Sequence, residues 1–293
     1  MVERTPRFDA ACWLILVVGL ALIFLPIYYA LVIASQPDGA ERLSLFTPPG
    51  THLLDNLAAA WGKDDLRRQL FNSAVMALGI TLGKLAISLL SAFAITYFRF
   101  RFRMAAFWAI FVTLMLPVEV RIVPTFEVAA NVVSPLNALA SLAGLDLRLN
   151  FSLLDTYAGL ILPLIASATA TFLFRQFFLV VPDELCEAAK VDGAGPLRFF
   201  RDILLPMSTT SIAALFVILF IYGWNQYLWP LLVTTDAQMT TVVIGVARTL
   251  PTDNADTQWN LTMATTLLAM LPPVLVVILL QRWFVRGLVD QEK

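Results

Sequence analysis

Long apolar runs alternate with short polar interruptions along this chain, at about 11–34, 72–98, 104–131, 157–180, 208–233 and 261–284. Each meets or approaches the roughly 20 mostly apolar residues a helix needs to cross a bilayer. Pro117, Glu119, Arg121 and Pro124 interrupt the third run. Charges there belong in a bundle interior, since charge facing lipid is costly. The pattern predicts an all-α membrane protein with six transmembrane helices in a single transmembrane domain over 1–293. Arg4 and Arg7 precede the first run, as in a signal peptide. That run is longer than a typical signal core, and only a weak small-residue pattern stands at Val32-Ile33-Ala34, so a retained first helix is expected.

Composition reinforces this reading. Apolar residues make up 59% of the 293 and charged residues 14%, with a mean hydropathy of +0.78. Soluble domains run nearer 45–50% and about 25%. Basic residues then orient the spans. Clusters at Arg99, Arg101 and Arg103, at Lys190, Arg198 and Arg201, and at Arg282 and Arg286 fall on one side, in short loops. The other side holds the sparser Arg42, Lys63, Arg67, Arg68, Arg121, Arg148 and Arg248. The positive-inside rule places both termini in the cytoplasm.

Several chemistries have no residues to carry them. Gly79-Ile80-Thr81-Leu82-Gly83-Lys84 has the look of a phosphate-binding loop, but one residue too few separates the glycines. Leu85 also stands where a magnesium-binding hydroxyl belongs, and the stretch sits inside a span. His52 is the one histidine, and Cys12 and Cys186 are isolated, so neither a metal site nor a Ser/His/Asp set can be assembled. No basic stripe suggests nucleic acid. No enzymatic activity and no cofactor are expected.

The most distinctive polar stretch is PDELCEAAKVDGAGPLRFFRDILLP, 182–206, between the fourth and fifth runs. Pro182 opens a helix whose first turn carries Asp183 and Glu184, where negative charge complements the helix dipole. Leu185, Ala188 and Ala189 give a small apolar face, and Gly193 and Gly195-Pro196 turn the chain. The bland alternative is an interfacial helix touching only headgroups. Glu187-Ala188-Ala189, three residues, Gly193, nine residues, Ile203, then Leu205-Pro206 resembles the EAA signature of membrane subunits of binding-protein-dependent ABC importers. LLSAFAITYFRFRFR at 89–103, MLPVEVRIVPT at 115–125, TATFLFRQFF at 169–178, FIYGWNQYLWPLL at 220–232 and QRWFVRGLVDQEK at 281–293 extend the likeness. Together they resemble the maltose-permease-like family, in particular the E-type subunit of its glycerol-3-phosphate importers.

The resemblance implies a type I importer permease in the bacterial inner membrane. Its implied partners are a second homologous permease, an ATPase dimer that binds the ATP, a periplasmic binding protein and membrane lipid. Glu187, Ala188, Ala189, Asp192 and Gly193 would couple to the ATPase. The outer loop at 132–154 is longer than the resemblance leads one to expect, and the loop at 236–259 would reach toward the binding protein. A sugar or oligosaccharide importer is the alternative, because that family mostly serves sugars.

Depth along the spans suggests where solute passes. At about 1.5 Å of rise per residue, Lys84, Glu119, Arg121 and Asn225 all lie roughly 22–27 Å from the inner ends of their spans. Lys84 and Glu119 could simply pair to fix packing. Alternatively, Lys84 and Arg121 together outnumber Glu119 and leave positive charge suited to a phosphate monoester. Trp224, Asn225, Gln226, Tyr227 and Trp229 read either as an interfacial aromatic belt or as a pathway lining. The pathway candidates are therefore Lys84, Glu119, Arg121, Trp224, Asn225 and Tyr227.

Overall fold

The computed structural model describes residues 6–39, 47–113, 118–145, 149–250 and 258–289, with side chains described except at 6–9, 64, 118–119 and 284–289. All regular structure among these residues is helical. Three helices are long and apolar enough to span a membrane: Ala10–Ala34, Asp65–Tyr97 and Trp259–Trp283. Three bent helix pairs raise the number to six if each counts as one span. They are Val120–Ala130 with Ser134–Leu142 (79°), Tyr157–Leu164 with Ala168–Val180 (49°), and Pro196–Met207 with Thr209–Trp224 (73°).

The chain divides into two compact units, 1–67 with 245–271, and 68–244 with 272–293. In the first unit, α1 (Pro6–Ala34) is apolar on every face, and most of its side chains from Trp13 to Leu25 are exposed. A helix apolar all round requires a nonaqueous environment. Its last turn is held by polar contacts. Asn56 on α2 (Leu53–Trp61) donates through Nδ2 to the carbonyls of Ala34 and Gln36, both at 2.8 Å. The Ser35 hydroxyl accepts the Gly50 amide at 2.7 Å. The asparagine bonds satisfy carbonyls that the end of a helix would otherwise leave unpaired. His52 stands at the start of α2 without a side-chain cap.

The second unit is organised around α3 (Asp64–Tyr97). Early in that helix, the buried Asn72 donates to the Gln238 and Thr240 carbonyls at 2.8 and 3.0 Å, and its Oδ1 accepts the Tyr157 hydroxyl at 2.7 Å. The Ser73 hydroxyl accepts the Val242 amide at 2.8 Å. Deeper, Gly79 and Gly83 lie one turn apart on a single face. A Cβ on Gly79 would come within 2.5 Å of the Ile161 side chain, and one on Gly83 within 2.5 Å of Ile165. The glycines that imitate a phosphate loop are therefore packing positions of the small-xxx-small kind, which let neighbouring segments approach the helix closely.

Two apolar cores flank these glycines. Met76, Ile80, Ala129, Leu160, Trp229 and Val233 form one. The other centres on Phe93, Phe174, Phe178, Phe199, Leu204 and Leu215.

The expected third span, 104–131, is observed as α4 (Arg103–Val112) and α5 (Val118–Ala130), with 114–117 outside the described residues. α6 (Ser134–Leu142) follows α5 across the 79° bend. The long loop at 132–154 is folded around two asparagines where it is described. Asn131 Oδ1 accepts the Val133 and Phe151 amides, both at 3.2 Å, and Asn137 Nδ2 donates to the Leu149 carbonyl at 2.7 Å.

α7 (Tyr157–Ile161) is capped by Thr156, whose Oγ1 accepts the Gly159 amide at 3.0 Å. A short 3-10 turn at Leu162–Leu164 leads to α8 (Ala168–Val180), capped by Ser167. On α8 the Arg175 guanidinium lies 4.3 Å from the Phe107 ring centroid. Ring contact, which the sequence pattern did not indicate, therefore positions this arginine.

The expected fifth span, 208–233, is not continuous. α12 (Thr209–Trp224) stops at Asn225, and α13 (Leu228–Val233) restarts beyond Tyr227. After α13 the chain is clasped by Asp155. Its Oδ1 accepts the Thr235 and Asp236 amides at 2.6 and 2.8 Å, and its Oδ2 accepts the Thr235 hydroxyl at 2.6 Å. Asp155 itself adopts φ 55°, an uncommon backbone state for a residue other than glycine.

Filling the Gly79 or Gly83 notch should be costly. Overpacking typically costs about 1–3 kcal/mol. Gly79→Leu and Gly83→Leu are expected to lower the thermal midpoint of the detergent-solubilised protein, whereas Leu82→Ala on the exposed face should leave it nearly unchanged. The clasp generates a pH dependence. The Asp236 amide, the Thr235 hydroxyl and the Thr235 amide hold the Asp155 carboxyl below its usual value. A carboxyl with a lowered folded-state pKa adds stability above its unfolded value, about 3.9. That stability is lost as pH falls through the lower folded-state value. Acid unfolding followed below about pH 4 should therefore flatten in Asp155→Asn relative to the unmodified chain.

Candidate functional site

The break after α12 shapes a small polar cavity. Ending the helix at Trp224 leaves the Tyr222 carbonyl without its next amide donor. The Gln226 side chain folds back and donates to it through Nε2 at 3.1 Å. Asn225 still donates its amide to the Ile221 carbonyl at 3.0 Å. The chain then turns into α13, where Trp229 is buried and its Nε1 donates to the Gly159 carbonyl at 3.2 Å. Tyr222 and Gln226 are thereby fixed at the rim between two helices.

They face Lys84, the residue after Gly83 on α3. Lys84 is 7% exposed, and its Nζ sits 3.8 Å from the centroid of the Tyr222 ring. The cavity here measures about 190 Å³, and Lys84, Arg121, Thr125, Tyr222, Gln226 and Trp229 supply its chemistry. Pro163 and Leu164 of the 3-10 turn close one side. Two cationic side chains thus line one small chamber. Among the described residues no carboxylate lines it, and none forms an ion pair with Lys84. Such a chamber suits an anion small enough for the space, with hydroxyl and amide groups to meet a polar remainder.

The sequence-based candidates fare unevenly. Lys84 and Arg121 come together as their depths suggest. Glu119 lies in α5, but its side chain falls outside the described residues. Trp224 does not line the chamber. It is 3% exposed and stacks on Phe220 at 5.8 Å, because the last turn of α12 directs it into packing. Asn225 and Tyr227 are exposed residues of the break. Sequence reasoning missed Tyr222 and Thr125 as lining groups. Tyr222 precedes Gln226 by four residues, a helical spacing that could have revealed it.

The polar island takes the helical form expected. α9 (Asp183–Val191) ends in a Schellman turn. The Gly193 amide donates to the Lys190 carbonyl at 3.0 Å and the Ala194 amide to the Ala189 carbonyl at 2.8 Å. Gly193 adopts φ 73°, which a residue with a Cβ takes only under strain. α10 (Pro196–Phe199), a π-turn at Phe200–Leu204 and α11 (Leu205–Met207) complete the segment.

Its two alanines divide. Ala189 is buried in the aromatic core beside Phe93, Tyr97 and Phe199, whereas Ala188 is exposed together with Glu187. The inward face is therefore Leu185, Cys186 and Ala189, and Ala188 belongs to the outward one. Val191 and Leu197, at 88% and 76% exposed, also project outward, and so does Asp192. An exposed face of small and apolar residues on a short rigid helix is suited to contact with another protein surface.

Comparison with known proteins agrees with this organisation. Residues 72–290 match the family described as binding-protein-dependent transport system inner membrane component. The sn-glycerol-3-phosphate transport system permease protein UgpE of Agrobacterium fabrum is 53% identical over 301 residues, covering 100% of both chains. Its namesakes from Yersinia pestis and Rhizobium meliloti are each 52% identical, again over 100% of both chains. In fold, the chain resembles a bacterial ABC transporter involved in import of the acidic polysaccharide alginate. That likeness has a TM-score of 0.78 at 17% identity and covers 97% of this chain and 99% of the other. A second structure, of a bacterial alginate ABC transporter in complex with an alginate pentasaccharide-bound periplasmic protein, gives a TM-score of 0.66 at 16% identity over 93% and 92% of the two chains. With its helical architecture and a family match running from early α3 into the last helix, this chain belongs to the inner membrane components of binding-protein-dependent transport systems.

Proposed function

We propose that this chain is the E-type permease subunit of an ABC importer for sn-glycerol-3-phosphate, forming half of the translocation pathway. The cavity carries this reading: Lys84 and Arg121 offer two positive charges to a small anion, and the full-length relatives are named for a phosphorylated glycerol. Thr125 and Gln226 are placed to meet hydroxyl groups. A phosphate dianion would exchange water for charge-assisted hydrogen bonds there, and the three-carbon remainder is small enough for the chamber.

The same reading assigns the remaining parts. A second homologous permease supplies the other half of the pathway, a periplasmic binding protein delivers solute, and a dimeric ATPase binds and hydrolyses the ATP. The exposed Glu187, Ala188 and Asp192 of α9 form the face offered to the ATPase, while Ala189 and Gly193 hold that helix in place. Closure of the ATPase dimer would move α9 as a rigid piece, because Ala189 ties it to the aromatic core at the end of α3. The clustered arginines at 99–103 and 282–286 support cytoplasmic termini.

The test is the reconstituted importer in proteoliposomes with saturating binding protein, measuring solute uptake and ATP hydrolysis together. sn-Glycerol-3-phosphate is expected to stimulate hydrolysis, and maltose is not. Losing one hydrogen bond to a charged group costs about 1.5–3 kcal/mol. Lys84→Gln and Arg121→Gln should each lower uptake per ATP hydrolysed about tenfold or more. Stimulation by maltose alone, or uptake indifferent to both substitutions, would remove the anion reading.

A separate prediction concerns coupling. Ala188→Arg puts bulk and charge on the exposed face and should abolish stimulated hydrolysis while the subunit still inserts, folds and pairs with the second permease. Normal stimulation in that variant would exclude this face as the contact.

A further inference from the structure

The buried ammonium of Lys84 faces an aromatic ring where a carboxylate would be the usual partner. Its Nζ lies 3.8 Å from the Tyr222 centroid, and it forms no ion pair among the described residues. The two kinds of partner differ in what they leave behind. A carboxylate cancels the charge and competes with any incoming anion. A ring face attracts the cation through its quadrupole but leaves the full positive charge in place. The attraction is also modest beside a charge-assisted hydrogen bond to phosphate. An aromatic ring is therefore suited to hold a cation that must later be surrendered.

The position of the ring is fixed from two sides. Gln226 Nε2 anchors the Tyr222 carbonyl at 3.1 Å, and the Tyr222 side chain packs on the core that contains Met76 and Trp229. On the opposite wall, the close packing of Ile161 and Ile165 at Gly79 and Gly83 sets the height of Lys84. The lysine stem is flexible, and its ammonium and Arg121 line the same cavity.

We propose that Tyr222 is a positioning residue that presents the Lys84 ammonium to the phosphorylated solute of this permease. Its ring holds the Lys84 ammonium while the chamber is empty and releases it to the phosphoryl oxygens of the passing solute. This rests on the anion reading of the cavity given above.

The experiment replaces Tyr222 with phenylalanine and then with mono-, di- and trifluorinated phenylalanines. These keep nearly the same shape while the ring's attraction for a cation weakens stepwise. Uptake of sn-glycerol-3-phosphate per ATP hydrolysed is measured at saturating binding protein, a ratio that corrects for the amount of assembled complex. Phenylalanine should retain at least about half of the original ratio, since the ring face and not the hydroxyl holds the cation. The trifluorinated ring should lower it about tenfold, with the intermediate rings in order of fluorine number.

The same series in a Lys84→Gln background should be flat. A flat series with Lys84 present, while Lys84→Gln still impairs uptake, would overturn the role of the ring and leave the anion cavity standing. Full uptake by Lys84→Gln with unmodified Tyr222 would instead remove the cavity reading and the proposal with it. Loss of uptake in Tyr222→Phe equal to that of the trifluorinated ring would show that the hydroxyl matters, and would also overturn it.

Discussion

A lysine ammonium buried within a membrane-spanning helix dictates much of what surrounds it. Charge in a low-dielectric interior must find a partner, a neighbouring dipole or a water-lined space. In this chain, each structural device near Lys84 answers that demand. The glycines before it let the helix pack tightly, so that the lysine emerges into a chamber and not into lipid. The break after Trp224 brings a ring and an amide to the chamber wall. The 3-10 turn around Pro163 closes the far side. Had α12 continued unbroken through Tyr227, the Tyr222 carbonyl would take the Gln226 backbone amide, and the Gln226 side chain would have no carbonyl to fold onto.

The second constraint is backbone satisfaction. Spans that bend expose carbonyls and amides where water is scarce, and each exposed group needs a substitute partner. Side chains supply those partners at several irregular points: Asn56 beyond α1, Asn72 and Ser73 for the 238–242 segment, Asn131 and Asn137 in the long loop, Thr156 and Ser167 at the starts of α7 and α8, and Asp155 after α13. Asparagine recurs because one side chain can both donate and accept. Polar residues in or beside apolar runs are thus mostly structural here. Lys84 and Arg121 stand apart because neither is engaged in bridging the backbone.

Legibility in the sequence followed physical scale. Apolar runs report membrane insertion directly, so the helical membrane architecture was readable from hydropathy. The charged pair was readable from depth, since rise along a helix is nearly constant. The bends were not. Asn225-Gln226-Tyr227 contains no proline or glycine, and only the side-chain bond from Gln226 reveals why a helix can stop there. Trp224 shares that depth, but its ring turns into packing, a direction that depth alone does not give. Depth follows from counting residues, whereas direction depends on packing against Phe220. Ala188 and Ala189 illustrate the same limit: adjacent and chemically identical, they face opposite ways, and only the aromatic core behind α9 distinguishes them.

Val191 and Leu197 extend this beyond transport. Both side chains stand almost fully exposed on a segment too short and too polar to hide them in the bilayer. Aliphatic surface of that kind, left in water, is what quality-control proteases and chaperones engage. Two exposed aliphatic side chains would thereby make the lifetime of a copy depend on whether that face is covered.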